Sequence, residues 1–334
     1  MKEVHVPSDP RGQATGTAWK PRILVSEFMD PVGLRVLEEH VVVHYQPDLA
    51  VDRGTLLRAV ADHDALIVRN RTRVDRELLE HAPRLRVIGR LGAGLDNIDL
   101  DGARQRGIPV TYARGANAEA VVEYVFAALL HLVRRLSDVS AKVRAGEWPR
   151  EEFIGRELSG RVLGLLGFGE VGRRVGRVGL AFGMRVVAHD PLITQDDVRG
   201  WGLDVPLCAM KDVIAEADVL SLHLPLLPET SHLIGRSAMA TMRPGAIIVN
   251  AARGGVLDEQ ALAEALAAGR IAGAVLDVRE QEPPPQPDPF ASFEHVVLTP
   301  HLAGLTVEAQ ERVGASVARD VLAVLQGGEA VHRA

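Results

Sequence analysis

Cysteine is almost absent from this chain, which has one, Cys208, among its 334 residues. A single thiol excludes an intrachain disulfide framework and any metal cluster built from cysteines, and we predict no metal site. So little cysteine also indicates a reducing environment, and we therefore expect a cytoplasmic location.

Long apolar runs and excess positive charge are missing as well. No run approaches the ~20 apolar residues that a membrane-spanning helix needs. Residues 1–20 lack the apolar core of a secretory signal, and we expect them to form a mobile extension. The formal net charge is −6, with 38 lysines and arginines against 44 acidic residues. This balance gives no reason to expect nucleic acid or a membrane as a partner.

The most informative stretch is Arg161–Asp190, RVLGLLGFGEVGRRVGRVGLAFGMRVVAHD. It opens with Val162–Leu166, an apolar run suited to a buried strand. A glycine motif with the spacing G-x-G-x-x-G follows, and then apolar residues recur on one face of a helix. A second apolar run, Met184–Ala188, leads to Asp190. The glycines of the motif are Gly167, Gly169 and Gly172.

Each part of this stretch has a physical role if a dinucleotide binds there. The first glycine permits a tight turn, the second lets a pyrophosphate approach the backbone, and the third lets helix and strand pack closely. The helix N-terminus offers free N–H groups to the phosphates, and Asp190 can accept hydrogen bonds from the ribose. The glycine motif alone would be weak support, but strand, glycines, helix, strand and acid together predict a Rossmann unit.

Strands and helices alternate through the rest of the chain, which predicts parallel sheets with helices on both faces. The length suits two domains. The unit that begins at Pro21 lacks the glycine motif and is the candidate substrate domain. The nearly all-apolar segment Val121–Val133 predicts a helix buried in a domain or subunit interface. The helix from about Val307 to Leu325 has no strand after it, so we expect it to pack onto the first domain.

Two loops of the candidate substrate domain carry groups that could bind an acid. Arg69–Arg73 (RNRTR) offers cations and an amide, and Gly89–Asn97 (GRLGAGLDN) offers backbone N–H groups that suit a carboxylate. By themselves, the arginines are better explained as a solvated loop.

Three polar residues lie just past predicted strands, at the edge of a parallel sheet where ligands bind. Arg253 can grip a carboxylate, His301 can exchange a proton at neutral pH, and Glu282 can orient that histidine. Each one alone has an ordinary explanation: an ion pair that caps a helix, a charge in a loop, or a histidine in a turn. Together with a nicotinamide site, they provide the groups that a hydride-transfer reaction needs.

At these residues the chain resembles the D-isomer-specific 2-hydroxyacid dehydrogenase family, from about Ile23 to Leu325. It is similar to the D-3-phosphoglycerate dehydrogenases and sulfolactate dehydrogenases within that family. The motifs are specific in combination: GRLGAGLDNID, GFGEVG, HLPLLPET, NAARGGVLDE, LDVREQEPP and TPHLAG. The resemblance implies two doubly wound α/β parallel-sheet domains. One is a flavodoxin-like substrate domain of residues 21–115 plus 303–334, and the other is a Rossmann NAD-binding domain of residues 116–302.

The resemblance also implies roles for individual residues. Arg253 would bind the substrate carboxylate and carbonyl, His301 would be the acid/base, and Glu282 would be its partner. The residues implied to bind NAD are Ala93, Gly167, Gly169, Glu170, Val171, Gly172, Asp190, Leu224, Pro225, Thr230, Ala251, Asp277 and Gly304. Those implied to bind the substrate, besides Arg253, are Arg69, Asn70, Gly94 and Asn117. The family fold further implies a homodimer formed through the helix near Val121–Val133.

The predicted reaction is the reversible oxidation of a 2-hydroxy acid to a 2-oxo acid by NAD. Asp190 would repel the 2′-phosphate of NADP, and Pro191 stands where an arginine could have bound it. The cluster Arg69–Arg73 suggests a second anionic group on the substrate, a phosphate or a sulfonate. Asn70 departs from the serine common at this position in phosphoglycerate dehydrogenases.

Three alternatives are weighed at this stage, and the catalytic residues count against the second and the third. A glyoxylate or hydroxypyruvate reductase would use the same residues. A formate dehydrogenase would have glutamine in place of Glu282. An NADH-sensing binder similar to the corepressors of the family would have little need of the catalytic residues.

Overall fold

The structure is a computed structural model that describes residues 20–334. It contains two parallel sheets, one of five and one of six strands, with helices packed on their faces. The α/β class and the two parallel sheets confirm the predicted fold. The prediction of a mobile extension concerns residues that lie, apart from Lys20, outside the described part of the chain.

The first sheet is built from short apolar strands near the N-terminus, in the order β2-β1-β3-β4-β5. Its central strand β3 is buried along its whole length, as expected for a parallel sheet covered on both faces. The five strands are β1 (Arg22–Val25), β2 (Val42–Tyr45), β3 (Ala65–Val68), β4 (Val87–Arg90) and β5 (Val110–Tyr112).

The second sheet has the order β11-β10-β9-β8-β6-β7, and the glycine motif follows its strand β6. The chain order reverses beside β6, between β7 on one side and β8 on the other, and such a switch point is where open α/β sheets bind ligands. The strands are β6 (Val162–Leu166), β7 (Arg185–His189), β8 (Val219–Leu222), β9 (Ala246–Asn250), β10 (Ile271–Leu276) and β11 (Val296–Leu298).

Twelve α-helices connect and cover these strands within residues 20–334. Most begin at an aspartate or threonine whose side chain accepts a backbone N–H, as Asp258 does at the start of the eleventh helix. The helices are α1 (Pro31–Glu38), α2 (Arg53–Val60), α3 (Arg76–Glu80), α4 (Leu100–Gln105), α5 (Ala118–Arg134), α6 (Leu136–Arg144), α7 (Glu170–Ala181), α8 (Gln195–Gly200), α9 (Met210–Glu216), α10 (Arg236–Thr241), α11 (Glu259–Ala267) and α12 (Val307–Leu325).

Helix α12 returns to the first sheet, as predicted from the absence of a strand after it. Its buried side chains pack with those of β1, β3 and α1 in one core. The helix crosses α1 so closely that a Cβ on Gly33 would lie 2.7 Å from the carbonyl carbon of Gly314. The chain therefore passes from the first sheet to the second and back, although the boundaries given for the two domains stay a prediction.

The predicted apolar helix, Val121–Val133, lies within α5. The sequence signals an end only at Gly146, but the backbone already turns at Arg135, which has a left-handed φ of 49°. Two helices result, α5 and α6. Nine residues of α5 are buried, and seven of them pack in the core of the second sheet and its helices, whereas α6 has no buried residue.

None of the helices between residues 20 and 334 is both long and apolar enough to cross a bilayer.

The first strand is shorter than predicted. The apolar pattern that begins at Arg22 predicts a strand over Arg22–Phe28, whereas β1 ends at Val25, and the Ser26 and Glu27 side chains form hydrogen bonds with the loop after β3.

Candidate active site

The glycine motif forms the turn between β6 and α7. Gly167 has a φ of 89°, a left-handed conformation that side chains disfavour. A Cβ on Gly172 would lie 2.1 Å from the carbonyl oxygen of Gly167, so no larger residue fits there. At Gly169 a Cβ would meet nothing within 4 Å, which leaves open space above the helix N-terminus. These are the features that a bound pyrophosphate needs.

Asp190 follows β7, at the same edge of the sheet. Its Oδ2 accepts the N–H of Phe168 at 2.8 Å and its Oδ1 accepts the N–H of Leu192 at 2.9 Å. A carboxylate has about four acceptor positions, so two remain for ribose hydroxyls. The carboxylate thus both fixes the glycine turn and faces the region beyond it.

A cavity of about 560 Å³ extends from the glycine turn to Arg253 between the two sheets. Its volume suits a cofactor. Eight of the predicted cofactor residues line it: Ala93, Gly169, Glu170, Val171, Gly172, Leu224, Pro225 and Ala251.

Five predicted cofactor residues do not line this cavity. Gly167 is part of the glycine turn itself, and Asp190 accepts the N–H of Phe168 in that turn. Thr230 supports the lining loop because its hydroxyl donates to the carbonyl oxygen of Pro225 at 2.7 Å. Gly304 lines the adjoining cavity described below. Asp277 is buried under the loop that carries His301.

The two residues of the candidate acid/base pair, His301 and Glu282, are in contact in the structure. His301 Nδ1 lies 2.8 Å from Glu282 Oε2, and about two-fifths of each side chain is exposed. An ionised carboxylate only accepts, so Nδ1 carries a hydrogen, and Nε2 is left as the atom that can exchange a proton with a substrate.

The surroundings of Glu282 favour its ionised form. Burial acts to raise the pKa of Glu282, but the hydrogen bond from His301, the N–H of Arg279 and the charges of His301 and Arg253 outweigh burial and lower that pKa. The carboxylate therefore stays charged beside the imidazole of His301.

The loop around His301 is held by Asp277. His301 has a left-handed φ of 55°, which costs free energy for a residue with a side chain. Its N–H donates to the carbonyl oxygen of Asp277 at 2.8 Å, and the carboxylate of Asp277 accepts from Leu302, Ala303 and the Thr299 hydroxyl. Three of about four acceptor positions are thus used to fix the histidine, which leaves one for the predicted contact with nicotinamide.

Arg253 reaches across from the second sheet to the first. Its Nε donates to Asp96 Oδ2 at 2.8 Å, and its Nη1 donates to the carbonyl oxygen of Ala252 at 2.6 Å. Its Nη2 lies where a Cβ on Gly94 would be, at 1.6 Å, so Gly94 makes room for the guanidinium. Gly94 and Arg253 thus share one wall of the cofactor cavity.

A second cavity, of about 600 Å³, adjoins the first, because Asn117 lines both. We call it the acid cavity. Glu282 and His301 form one part of its wall, and Arg69, Asn70 and Arg71 form another. The arginine loop is thus not simply solvated. Arg73 does not line this cavity, however, so the predicted cluster is split.

Sequence reasoning missed two residues that hold the arginine loop. Glu27 is 3% exposed, and its carboxylate accepts the N–H groups of Arg69, Arg71 and Thr72 at 2.8–3.0 Å. On the other side, Asn97 Nδ2 donates to the carbonyl oxygens of Arg69 and Thr72. No clear signal pointed to Glu27, because the pattern placed it inside a strand, and it follows β1 only in the structure, where that strand ends at Val25.

Arg90 was quoted in a motif but given no role, and it also lines the acid cavity. Burial lowers the pKa of Arg90 to about 10, with a further lowering by Arg253 and Arg69 that Asp96 and Glu27 oppose. Its Nε is buried and, within residues 20–334, has no hydrogen-bond partner. It stays charged at neutral pH and offers an unused donor.

No cluster within residues 20–334 brings together three histidine, cysteine, aspartate or glutamate side chains that could hold a metal ion.

Comparison with known proteins assigns the family. Residues 126–303 match the family described as "D-isomer specific 2-hydroxyacid dehydrogenase, NAD binding domain". Over 291 residues the chain is 45% identical to (S)-sulfolactate dehydrogenase from Chromohalobacter salexigens, which covers 87% of this chain and 94% of that protein. The chain belongs to the D-isomer-specific 2-hydroxyacid dehydrogenase family. It is thus an oxidoreductase that acts on a CH–OH group with NAD or NADP.

Other members of the 2-hydroxyacid dehydrogenase family agree with the fold. D-3-phosphoglycerate dehydrogenase from Methanocaldococcus jannaschii is 39% identical over 306 residues, which are 92% of this chain but 58% of that protein. The chain thus spans little more than half the length of that relative. D-lactate dehydrogenase from Aquifex aeolicus, solved with NAD and lactic acid, superposes with a TM-score of 0.81 at 30% identity, over 92% of this chain and 96% of that one.

Proposed function

We propose that this dehydrogenase uses NAD to interconvert a D-type 2-hydroxy acid that carries a second anionic group with its 2-oxo acid. The observation that carries the proposal is the acid cavity, which is lined both by the His301–Glu282 pair and by Arg69, Arg71 and Arg90. Relatives named sulfolactate and phosphoglycerate dehydrogenase support it, since both names denote acids with two anionic groups.

In the direction of reduction, the protein binds and protonates the 2-oxo acid. Arg253 offers Nη2 to the carboxylate and polarises the carbonyl. Protonated His301 gives its Nε2 proton to the carbonyl oxygen as the hydride adds to the carbon, and Glu282 stabilises the histidinium until that moment. Nicotinamide, when bound, supplies the hydride. In the direction of oxidation, neutral His301 takes the hydroxyl proton.

The second anionic group would lie against Arg69, Arg71 and Arg90. The loop of Arg69 and Arg71 is fixed by Glu27 and Asn97 before any substrate arrives, which lowers the entropy cost of binding. Arg90 brings a buried guanidinium with a free donor, and a charge-assisted bond there is stronger than one in water.

Alanine substitutions in the arginine loop test the substrate class. With a pair of acids that differ by one phosphate, 3-phosphohydroxypyruvate and hydroxypyruvate, we expect Arg69→Ala and Arg71→Ala to lower kcat/KM for the phosphorylated acid by about 10- to 100-fold. The same variants should change kcat/KM for hydroxypyruvate much less. 3-Sulfopyruvate and pyruvate form a second such pair.

Arg73→Ala is the matched control, because Arg73 belongs to the same loop but lies outside the acid cavity. We expect it to behave like the parent protein with both acids. Equal losses on the two acids of a pair, in Arg69→Ala and Arg71→Ala alike, would sink the proposal of a second anionic group.

NAD is the cofactor that the site favours over NADP. Asp190 lies past β7, where a 2′-phosphate would meet its negative charge. We expect Asp190→Asn to lower the ratio of kcat/KM with NADH to kcat/KM with NADPH by about tenfold or more. Asp196→Asn removes a nearby exposed charge on α8 and should leave the ratio unchanged. If the ratio in Asp190→Asn equals that of the parent protein, Asp190 does not select the cofactor.

The homodimer and the cytoplasmic location stay predictions. Large apolar side chains are exposed on α6 and the segment after it, and a second copy of the chain could cover them: Leu136, Val143, Trp148 and Ile154.

An NADH-sensing binder is less well supported, because such a protein gains nothing from the assembled His301–Glu282 pair.

A further inference from the structure

The loop that carries Glu282 is held by side chains rather than by its own backbone. It is the proline-rich segment after β10, and between residues 279 and 290 several residues lack an N–H because they are prolines. Three of the remaining N–H groups donate to carboxylates: Arg279 to Glu282 at 3.1 Å, Glu280 to Glu259 at 2.7 Å, and Phe290 to Asp288 at 2.9 Å.

Two of those carboxylates share one counter-ion. The guanidinium of Arg279 donates to both oxygens of Glu259, at 3.0 and 2.9 Å, and to both oxygens of Asp288, at 2.6 and 3.2 Å. It also stacks over the ring of Phe290, 5.0 Å from the centroid. The arginine side chain is 6% exposed and each carboxylate is 14% exposed. A charge buried to this degree is stable only when it is paired and hydrogen-bonded.

This cluster connects the parts that carry the candidate catalytic residues. Asp288 lies at the far end of the loop of Glu282, and Glu259 begins helix α11, which follows the turn of Arg253. A Cβ on Gly254 would lie 1.9 Å from the carbonyl oxygen of Arg279, so the turn after Arg253 packs directly on the arginine backbone. Arg279 thus contacts both the far end of the loop of Glu282 and the turn that follows Arg253.

We propose that Arg279 is a positioning residue that holds Glu282 against His301 and fixes the turn that follows Arg253. The inference rests on the proposed function only in that His301 and Glu282 act as the acid/base pair. Without the guanidinium, Glu259 and Asp288 would be two poorly solvated carboxylates without a counter-ion, and repulsion between the acidic groups would move the loop. Glu282 would then lie farther from His301.

The titration of His301 by NMR tests this without any substrate or cofactor. The histidine signal is assigned by its loss in His301→Asn. Loss of the positive charge of Arg279 would by itself raise the midpoint of His301, so a fall in Arg279→Met indicates that Glu282 has moved away, and we expect a fall of about half a pH unit or more. Arg279→Lys keeps the charge but not the forked geometry, and the midpoint should fall by less.

The kinetic counterpart is the pH profile of 2-oxo acid reduction, which needs protonated His301. The loss of kcat/KM at high pH should begin at lower pH in Arg279→Met than in the parent protein, and kcat should fall by about tenfold or more. Arg236→Met is the matched control. It breaks an exposed ion pair with Glu264, also on α11, and should move neither the midpoint nor the profile.

An unchanged His301 midpoint in folded Arg279→Met would overturn the proposal, and so would a lower kcat with an unchanged midpoint, because that pattern indicates a merely structural role. If Arg279→Met does not fold, Arg279→Lys keeps the charge and loses the forked geometry, and its His301 midpoint should fall or the proposal fails. Absence of turnover with every 2-oxo acid would contradict the proposed function but would leave the NMR result standing.

Discussion

Replacement of His301 by asparagine should lower kcat by about 10²- to 10⁴-fold, because the reaction loses the group that moves the proton. Asparagine is chosen because it tolerates the left-handed backbone at this position, where alanine would be strained. The affinity for NADH, measured by fluorescence titration, should change by less than about twofold. The variant therefore separates chemistry from cofactor binding.

His232→Asn provides a close control for this experiment. His232 also has a left-handed φ, of 49°, and its Nε2 also lies near a carboxylate, 3.2 Å from Glu280. It lines neither the acid cavity nor the cofactor cavity. We expect near-parent kcat in His232→Asn. A His301→Asn variant that keeps more than about a tenth of parent kcat would mean that another group moves the proton.

Replacement of Arg253 by methionine should lower kcat/KM for every 2-oxo acid on the order of 10³-fold, because both the carboxylate and the developing charge on the carbonyl oxygen lose their donor. Asp96, which pairs with Arg253 Nε, would also be left without its partner. Arg253→Lys should recover only part of the loss, since an ammonium cannot hold Asp96 and a substrate carboxylate in the same forked geometry.

Arg243→Met is the control for charge loss, because Arg243 forms an exposed pair with Asp218 away from both cavities. It should leave kcat/KM within about twofold of the parent value. Steady-state kinetics with monoanionic and dianionic acids give the comparison. Arg253 is not the carboxylate ligand if Arg253→Met affects dianionic acids alone.

The elements best predicted from the sequence are those with an unbroken apolar pattern between clear turn residues. Strand β6 and helix α12 have the ends that their patterns predict. The break at Arg135 was not predictable in this way. A left-handed residue is expected to be glycine or asparagine, and an arginine in a helical pattern gives no signal of a turn.

The candidate site was predictable as a set of polar residues after strands, but not in its contacts. The rule that ligands bind past the ends of parallel strands found Arg253, Glu282 and His301. It could not distinguish Arg71, which lines the acid cavity, from Arg73, which does not. It also could not find Arg279. An arginine beside several acids suggests a solvated charge, and only the fold brings Glu259 and Asp288 to it.

The measurement that tests the central claim most directly is NADH consumption by the parent protein with matched monoanionic and dianionic 2-oxo acids. The account predicts turnover with both acids of each pair, with kcat/KM at least about tenfold higher for 3-phosphohydroxypyruvate or 3-sulfopyruvate than for its monoanionic counterpart. Tight NADH binding without turnover of any 2-oxo acid would contradict it, since the assembled His301–Glu282 pair would then have no reaction to serve.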